Sequence, residues 1–108
     1  MSELGEIHPR ELKERMDCGD PPLILDVREP EEVEAAPFPD ALHIPMGEIP
    51  ARAGELEPER ETVVVCHHGV RSAQVAGYLA SIGFARVLNL IGGIDAWSLS
   101  VDPAVPRY

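Results

Sequence analysis

Short, nearly continuous apolar runs recur along the chain and predict buried β-strands. The clearest runs cover residues 23–27, 41–44, 62–65 and 87–90. Strands of this kind are typical of parallel sheets, because layers on both faces leave no side of the strand in water. The pattern therefore predicts a mainly parallel central sheet.

Helix-like segments fill the intervals between these runs. The strongest covers residues 72–82, where Val75, Leu79 and Ile82 recur at i, i+4 and i+7 and Gly83 supplies a stop signal. Strands that alternate with helices predict an α/β fold with helices on both faces of the sheet. Weaker patterns predict further helices over 9–16, 29–36 and 94–99, and an irregular or weakly helical stretch over 46–57.

The length of 108 residues allows one domain with a single core. We expect that core over about 7–99, followed by an extended C-terminal tail over 100–108. No apolar run approaches the ~20 residues of a membrane span. Residues 1–6 are acidic and lack the basic and apolar regions of a secretory signal, so a cytoplasmic protein without membrane contact is expected.

The formal charge of −10 is unevenly distributed. Residues 1–61 carry 17 acidic and 6 basic side chains, whereas residues 62–108 carry 2 acidic and 3 basic ones. The acidic half is either a solvated face or a surface that docks a basic protein partner. Nucleic acid is not an expected partner, because the sequence offers no basic patch for phosphates.

The most informative segment joins the strand over 62–65 to the helix over 72–82. Cys66 ends the strand, and Arg71 stands five residues later, just before the helix. A strand–loop–helix turn directs main-chain N–H groups and the positive end of a helix dipole at one atom. A thiol at that point would ionise readily and act as a nucleophile. We therefore predict Cys66 as the catalytic residue.

The rest of this loop fits an anion-binding role. Gly69 lets the backbone turn, Arg71 supplies a permanent charge, and Ser72 could cap the helix and offer a hydroxyl donor. His67 and His68 either contact an anionic substrate or shape the rim of its pocket. No metal or other cofactor is expected, since adjacent side chains diverge and the chain lacks the paired spacings of a zinc site.

Two residues at the end of another strand are predicted to support this site. Asp26 and Arg28 would lie at the same carboxyl edge of the sheet, where α/β proteins bind ligands. Asp26 could orient Arg71 or Arg28, or contact the start of the following helix. Cys18 belongs to the opposite edge, too far from Cys66 for a disulfide.

Four segments in the expected order resemble the single-domain rhodaneses. The resemblance implies a rhodanese fold and a sulfurtransferase that uses thiosulfate or a related donor. It also implies that Cys66 carries a persulfide, that the amides of residues 67–72, Val70 among them, hold its terminal sulfur, and that cyanide or a thiol accepts it. The matching segments are 25–32 (LDVREPEE), 41–45 (ALHIP), 65–72 (VCHHGVRS) and 90–97 (LIGGIDAW).

Loop length and two departures refine what the resemblance implies. Cys66 to Arg71 is a six-residue loop, as in sulfur-transferring relatives, whereas related phosphatases resemble Cys-x5-Arg. Residues 36–41 differ from the usual Gly-His-Ile-Pro-Gly-Ala. His67 stands where many relatives have Arg or Lys, which implies a weaker or pH-dependent attraction for a dianionic donor such as thiosulfate. Alternatives are a protein-to-protein sulfur carrier or interaction module with little small-molecule turnover, and a catalytically silent binding domain.

Overall fold

In a computed structural model, which describes residues 3–108, the strands form one parallel sheet. Met1 and Ser2, which the predicted domain includes, lie outside the described residues. The strand order is β1-β5-β4-β2-β3, and every neighbouring pair is parallel. The strands are β1 (Glu3–Ile7), β2 (Leu23–Asp26), β3 (Leu42–His43), β4 (Thr62–Val65) and β5 (Arg86–Leu90).

Helices cover both faces of this sheet, as predicted. The side chains of β4 alternate between the two layers: Val63 and Val65 pack in one apolar cluster, and Val64 and Cys66 in the other. Leu12 and Trp97 of helices α1 and α5 join the first cluster, while helices α3 and α4 join the second. The helices are α1 (Pro9–Asp17), α2 (Pro30–Ala35), α3 (Ile49–Arg52), α4 (Val70–Ser81) and α5 (Gly93–Ser100), with 3₁₀ turns at Met46–Glu48 and Ala53–Glu55.

The strand β1 is absent from the sequence prediction. Glu3, Leu4 and Glu6 are exposed, and only Ile7 is buried, so this segment has no apolar run. It forms a strand because its backbone pairs with β5 from Glu3 to Ile7 at the edge of the sheet. The sheet therefore begins before residue 7, although Ile7 is the first residue of the buried core.

The C-terminal segment after α5 differs from the extended tail that the sequence predicts. It turns back at residues 101–105, and Val105 is buried in the same apolar cluster as Trp97. Arg107 then pairs with Asp95 of α5 at 2.8 Å. This return places Tyr108 beside the carboxyl edge of the sheet.

The helices are short. Within residues 3–108, none of them combines the length and the apolar character that crossing a membrane requires.

Candidate active site

Cys66 directly follows β4, at the carboxyl edge of the sheet, and Gly69 ends the loop behind it. The Gly69 φ of 95° lies in the left-handed region that favours glycine. The Gly69 carbonyl accepts the amide of Ala73 at 3.3 Å, so α4 begins at Val70. The prediction that Ser72 caps this helix is therefore wrong, since Ser72 lies buried inside the first turn.

The loop directs main-chain donors at the sulfur of Cys66. The amides of Gly69 and Ser72 donate to Sγ at 3.1 Å and 3.3 Å. The Cys66 side chain is buried, but these amides face its sulfur. Within residues 3–108, no acceptor lies within hydrogen-bonding distance of four further loop amides, those of His67, His68, Val70 and Arg71. The loop thus retains main-chain donors for an anionic ligand.

The start of α5 holds the loop in this shape. The amides of Ile94 and Asp95 donate to the carbonyls of Cys66 and His67 at 2.8 Å and 3.0 Å. Gly93 permits this contact, since a Cβ there would collide with both carbonyl oxygens. Because those carbonyls are engaged by α5, the peptide groups of the loop are fixed.

Asn89 of β5 contacts the residues at the junction between the loop and α4. Its Nδ2 donates to the carbonyl of Gly69 at 3.1 Å, and its Oδ1 accepts the hydroxyl of Ser72 at 2.5 Å. Ser72 Oγ lies 3.2 Å from Cys66 Sγ. The hydroxyl donor expected of Ser72 is thus engaged by Asn89.

Arg71 is ion-paired with a residue that the sequence did not single out. Its Nη1 and Nη2 donate to the two carboxylate oxygens of Glu32, in α2, at 2.6 Å and 2.7 Å. This bidentate pair lowers the pKa of Glu32 to about 2 and raises the pKa of Arg71. The carboxylate of Glu32 is therefore ionised at any physiological pH.

Asp26 pairs with Arg28 and not with Arg71. Arg28 Nη2 donates to Asp26 Oδ2 at 2.8 Å, and both side chains are almost completely buried. Arg28 also donates to the carbonyls of Glu32 and Ala36, at 3.2 Å and 2.7 Å. The pair thereby links the end of β2 to α2, which carries the partner of Arg71.

Three aromatic rings are stacked at the rim of the site. The centroid of the His67 ring lies 3.9 Å from that of His68 and 4.0 Å from that of Tyr108. Burial, together with the neighbouring His68, lowers the pKa of His67. The Tyr108 hydroxyl donates to Glu32 Oε2 at 2.8 Å, and burial raises the pKa of Tyr108 to about 12.

His67, His68 and Asp95 are the group within residues 3–108 whose side chains could hold a cation. One ligand atom of each lies within 4.8 Å of the others. The two imidazole rings stack on one another, whereas the sequence analysis expects the two adjacent side chains to diverge. Arg107 already occupies the carboxylate of Asp95, which disfavours a metal ion there.

Sequence reasoning missed several residues that shape this site. Glu32, Asn89 and Tyr108 have no local pattern that distinguishes them, whereas Gly93 is visible as half of a Gly-Gly pair. Cys18 is exposed and, like Cys66, forms no disulfide.

Comparison with known proteins places this chain in a family. The family model described as "Rhodanese-like domain" matches residues 8–100. A protein named sulfurtransferase from Allochromatium vinosum is 41% identical over 102 residues, covering 94% of this chain and 95% of that one. YrkF of Bacillus subtilis, whose name describes a candidate sulfur carrier, is 39% identical over 97 residues, with coverage of 90% and 52%.

A solved structure shares the fold described above. The rhodanese-like domain protein of Staphylococcus aureus superposes with a TM-score of 0.82 at 33% identity, covering 98% of each chain. The family match spans the elements that carry Cys66, Arg71 and Asp95. The chain belongs to the rhodanese-like domain family.

Proposed function

We propose that this protein is a sulfurtransferase in which Cys66 carries the transferred sulfur as a persulfide. The observation that carries the proposal is the convergence of the Gly69 and Ser72 amides on the sulfur of Cys66. Main-chain donors and the start of α4 stabilise negative charge at that point, as a thiolate nucleophile requires. Membership of the family and a relative named sulfurtransferase support the same chemistry.

The reaction proceeds in two displacements. The Cys66 thiolate attacks the sulfane sulfur of a donor such as thiosulfate, and the donor's S–S bond breaks with its electron pair leaving on sulfite. A nucleophilic acceptor, cyanide or a thiol, then attacks the terminal sulfur of the persulfide and releases the Cys66 thiolate. The unpaired loop amides would bind the terminal sulfur between the two steps.

The loop size supports sulfur rather than phosphoryl chemistry. Cys66 to Arg71 spans six residues, and Arg71 already sits in the first turn of α4. A phosphate carries three oxygens beyond the bond to sulfur and needs a wider ring of amides than one sulfur atom does. We therefore favour sulfur transfer over phosphatase activity.

Intact mass spectrometry after incubation with thiosulfate tests the proposal. The native chain is expected to gain the mass of one sulfur atom, and Cys66→Ser none. Cys18→Ser is the matched control, because Cys18 is exposed and lies in the turn that follows α1. A gain that survives Cys66→Ser, or none in the native chain with any sulfane donor, contradicts the proposal.

A protein-to-protein sulfur carrier is the second candidate, which the similarity to YrkF favours. Its acidic half would then dock a basic protein that supplies or accepts sulfur. Steady-state assays with thiosulfate and cyanide separate the two functions. Sustained ping-pong turnover supports the enzyme, whereas stoichiometric loading without turnover supports the carrier.

A further inference from the structure

Within residues 3–108, three arginines lie around the edge that holds Cys66, and a carboxylate neutralises each of them. His67 adds no charge at neutral pH, since its pKa is lowered from 6.5. The arginine side chains around Cys66 therefore add no excess positive charge. The three ion pairs are Arg28–Asp26 at 2.8 Å, Arg71–Glu32 at 2.6 Å and Arg107–Asp95 at 2.8 Å.

Of these arginines, Arg71 belongs to the Cys66 loop itself and remains partly exposed. Arg28 is fully buried, and its donors are engaged by Asp26, by main-chain carbonyls and by the Tyr108 hydroxyl. Arg71 is 32% exposed, and it directly precedes Ser72, whose amide donates to the sulfur of Cys66. An anion that approaches the sulfur therefore encounters Arg71 together with its carboxylate partner.

That partner is held firmly in place. Glu32 Oε2 accepts the Tyr108 hydroxyl at 2.8 Å, and Oε1 accepts the amide of Glu29 at 3.2 Å. Both donors favour the ionised carboxylate, in addition to the bidentate contact with Arg71. A donor anion must consequently compete with a fixed negative charge for the same guanidinium.

We propose that Glu32 determines donor specificity: by neutralising Arg71 it disfavours dianionic sulfane donors relative to donors of lower charge, such as thiol persulfides. This inference rests on the sulfurtransferase function proposed above. Coulomb repulsion scales with the charge of the donor, so a dianion is affected about twice as strongly, on a logarithmic scale, as a monoanion. Tyr108 acts as a positioning residue for the carboxylate, because its hydroxyl donates to Glu32 Oε2.

Two donors that differ in charge test this specificity. Thiosulfate is a dianion that releases sulfite, and methanethiosulfonate is a monoanion that releases methanesulfinate, each by transfer of one sulfane sulfur to Cys66. The measurement is kcat/KM for each donor, with cyanide as the common acceptor, in the native protein and in Glu32→Gln. Glu31→Gln is the matched control, because Glu31 is the exposed neighbour in the same helix.

Glu32→Gln is expected to raise kcat/KM about 10-fold for thiosulfate and about 3-fold for methanethiosulfonate, as removal of one nearby negative charge predicts. Glu31→Gln should change both by less than about 2-fold, since an exposed charge is screened. Tyr108→Phe retains the stacked ring and removes one of the hydrogen bonds that hold the Glu32 carboxylate, together with the acceptor of Arg28 Nη1. It should raise the ratio of kcat/KM for thiosulfate to kcat/KM for methanethiosulfonate by about 2-fold.

The proposal is overturned if Glu32→Gln leaves the ratio of kcat/KM for the two donors unchanged, whether both values stay constant or both change equally. If Glu32→Gln fails to fold, the ratio measured in Tyr108→Phe decides in the same way. Absence of Cys66 persulfide in the native protein with both donors would instead overturn the sulfurtransferase function. The two failures are thus distinguishable.

Discussion

Asn89 accepts the hydroxyl of Ser72 at 2.5 Å, beside the sulfur of Cys66. The orientation of the Asn89 amide follows from its second contact, in which Nδ2 donates to the carbonyl of Gly69 at 3.1 Å. A serine hydroxyl has one proton, so Ser72 presents a lone pair to Cys66. The hydroxyl can accept from a thiol there, but a thiolate would depend on the main-chain amides.

Ser72→Ala should therefore affect folding more than sulfur transfer. The rate of persulfide formation is expected to change by about 3-fold or less, because both amide donors to Cys66 remain. The free energy of unfolding should fall by about 1–3 kcal/mol, since Asn89 Oδ1 loses its partner. Rapid-mixing mass spectrometry and urea unfolding measure the two effects.

Ser100→Ala provides the control, because Ser100 is exposed near the end of α5 and bonds only within that helix. Its unfolding free energy should stay within about 0.5 kcal/mol of the native value. A 100-fold slower transfer in Ser72→Ala without loss of stability would show that the hydroxyl donates to the sulfur.

The sheet, and the place of Cys66 at the end of one of its strands, were predictable because burial on both faces leaves a continuous apolar pattern. Strands β2, β4 and β5 each carry such a run, and helix periodicity follows Cys66. The chemistry of a cysteine between a strand and a helix depends on local backbone geometry, which sequence spacing reports.

Long-range polar partners were not predictable in this way. The pairing of Arg71 with Glu32 joins residues 39 positions apart, and Glu32 is one of 17 acidic residues in the first 61. Tyr108 reaches the site only because Val105 packs into the core and turns the chain back. Strand β1 pairs through its backbone and so leaves no apolar signal.

Gly93→Ala is expected to disrupt the site through the backbone. A methyl group there would collide with the carbonyls of Cys66 and His67, and the φ of 62° is strained for alanine. Overpacking and strain together should lower the free energy of unfolding by about 2–4 kcal/mol. Urea unfolding and the rate of persulfide formation should both reveal the loss.

Gly77→Ala is the matched substitution in α4, where a Cβ meets nothing within 4 Å. It should raise the free energy of unfolding by about 0.5–1 kcal/mol, because alanine favours a helix. Equal free energies of unfolding for Gly93→Ala and Gly77→Ala would refute the role of Gly93 in the contact between α5 and the Cys66 loop.

Arg28→Ala should cause the largest loss of stability among the charged residues of the site. The substitution leaves the carboxylate of Asp26 buried without its guanidinium partner. It also removes the donor to the carbonyl of Glu32, in α2, and to that of Ala36, which directly follows α2. The expected cost is about 3–5 kcal/mol in unfolding free energy. Arg10→Ala, on the exposed side of α1, should cost less than about 0.5 kcal/mol. A comparable cost for both variants would mean that the buried pair is not structural.

Acid titration should isolate the contribution of Glu32 to stability. Its pKa is about 2 in the folded protein against an ordinary value of 4.5, because Arg71 donates to the ionised carboxylate. Between those values the unfolded chain binds a proton that the folded chain does not, so stability falls as the pH drops through this range. Above about pH 4.5 the contribution is fully present.

Urea unfolding of the native protein and Glu32→Gln at pH 6 and pH 3 measures this contribution. The difference in unfolding free energy between the two proteins should shrink by about 1–2 kcal/mol on acidification, a value reduced for solvent because the Glu32 side chain is 22% exposed. Glu31→Gln should follow the native pH dependence, because its carboxylate is exposed. If the Glu32→Gln and native values fall in parallel, the Arg71 pair does not stabilise the fold, and the carboxylate serves only to set the charge beside Cys66.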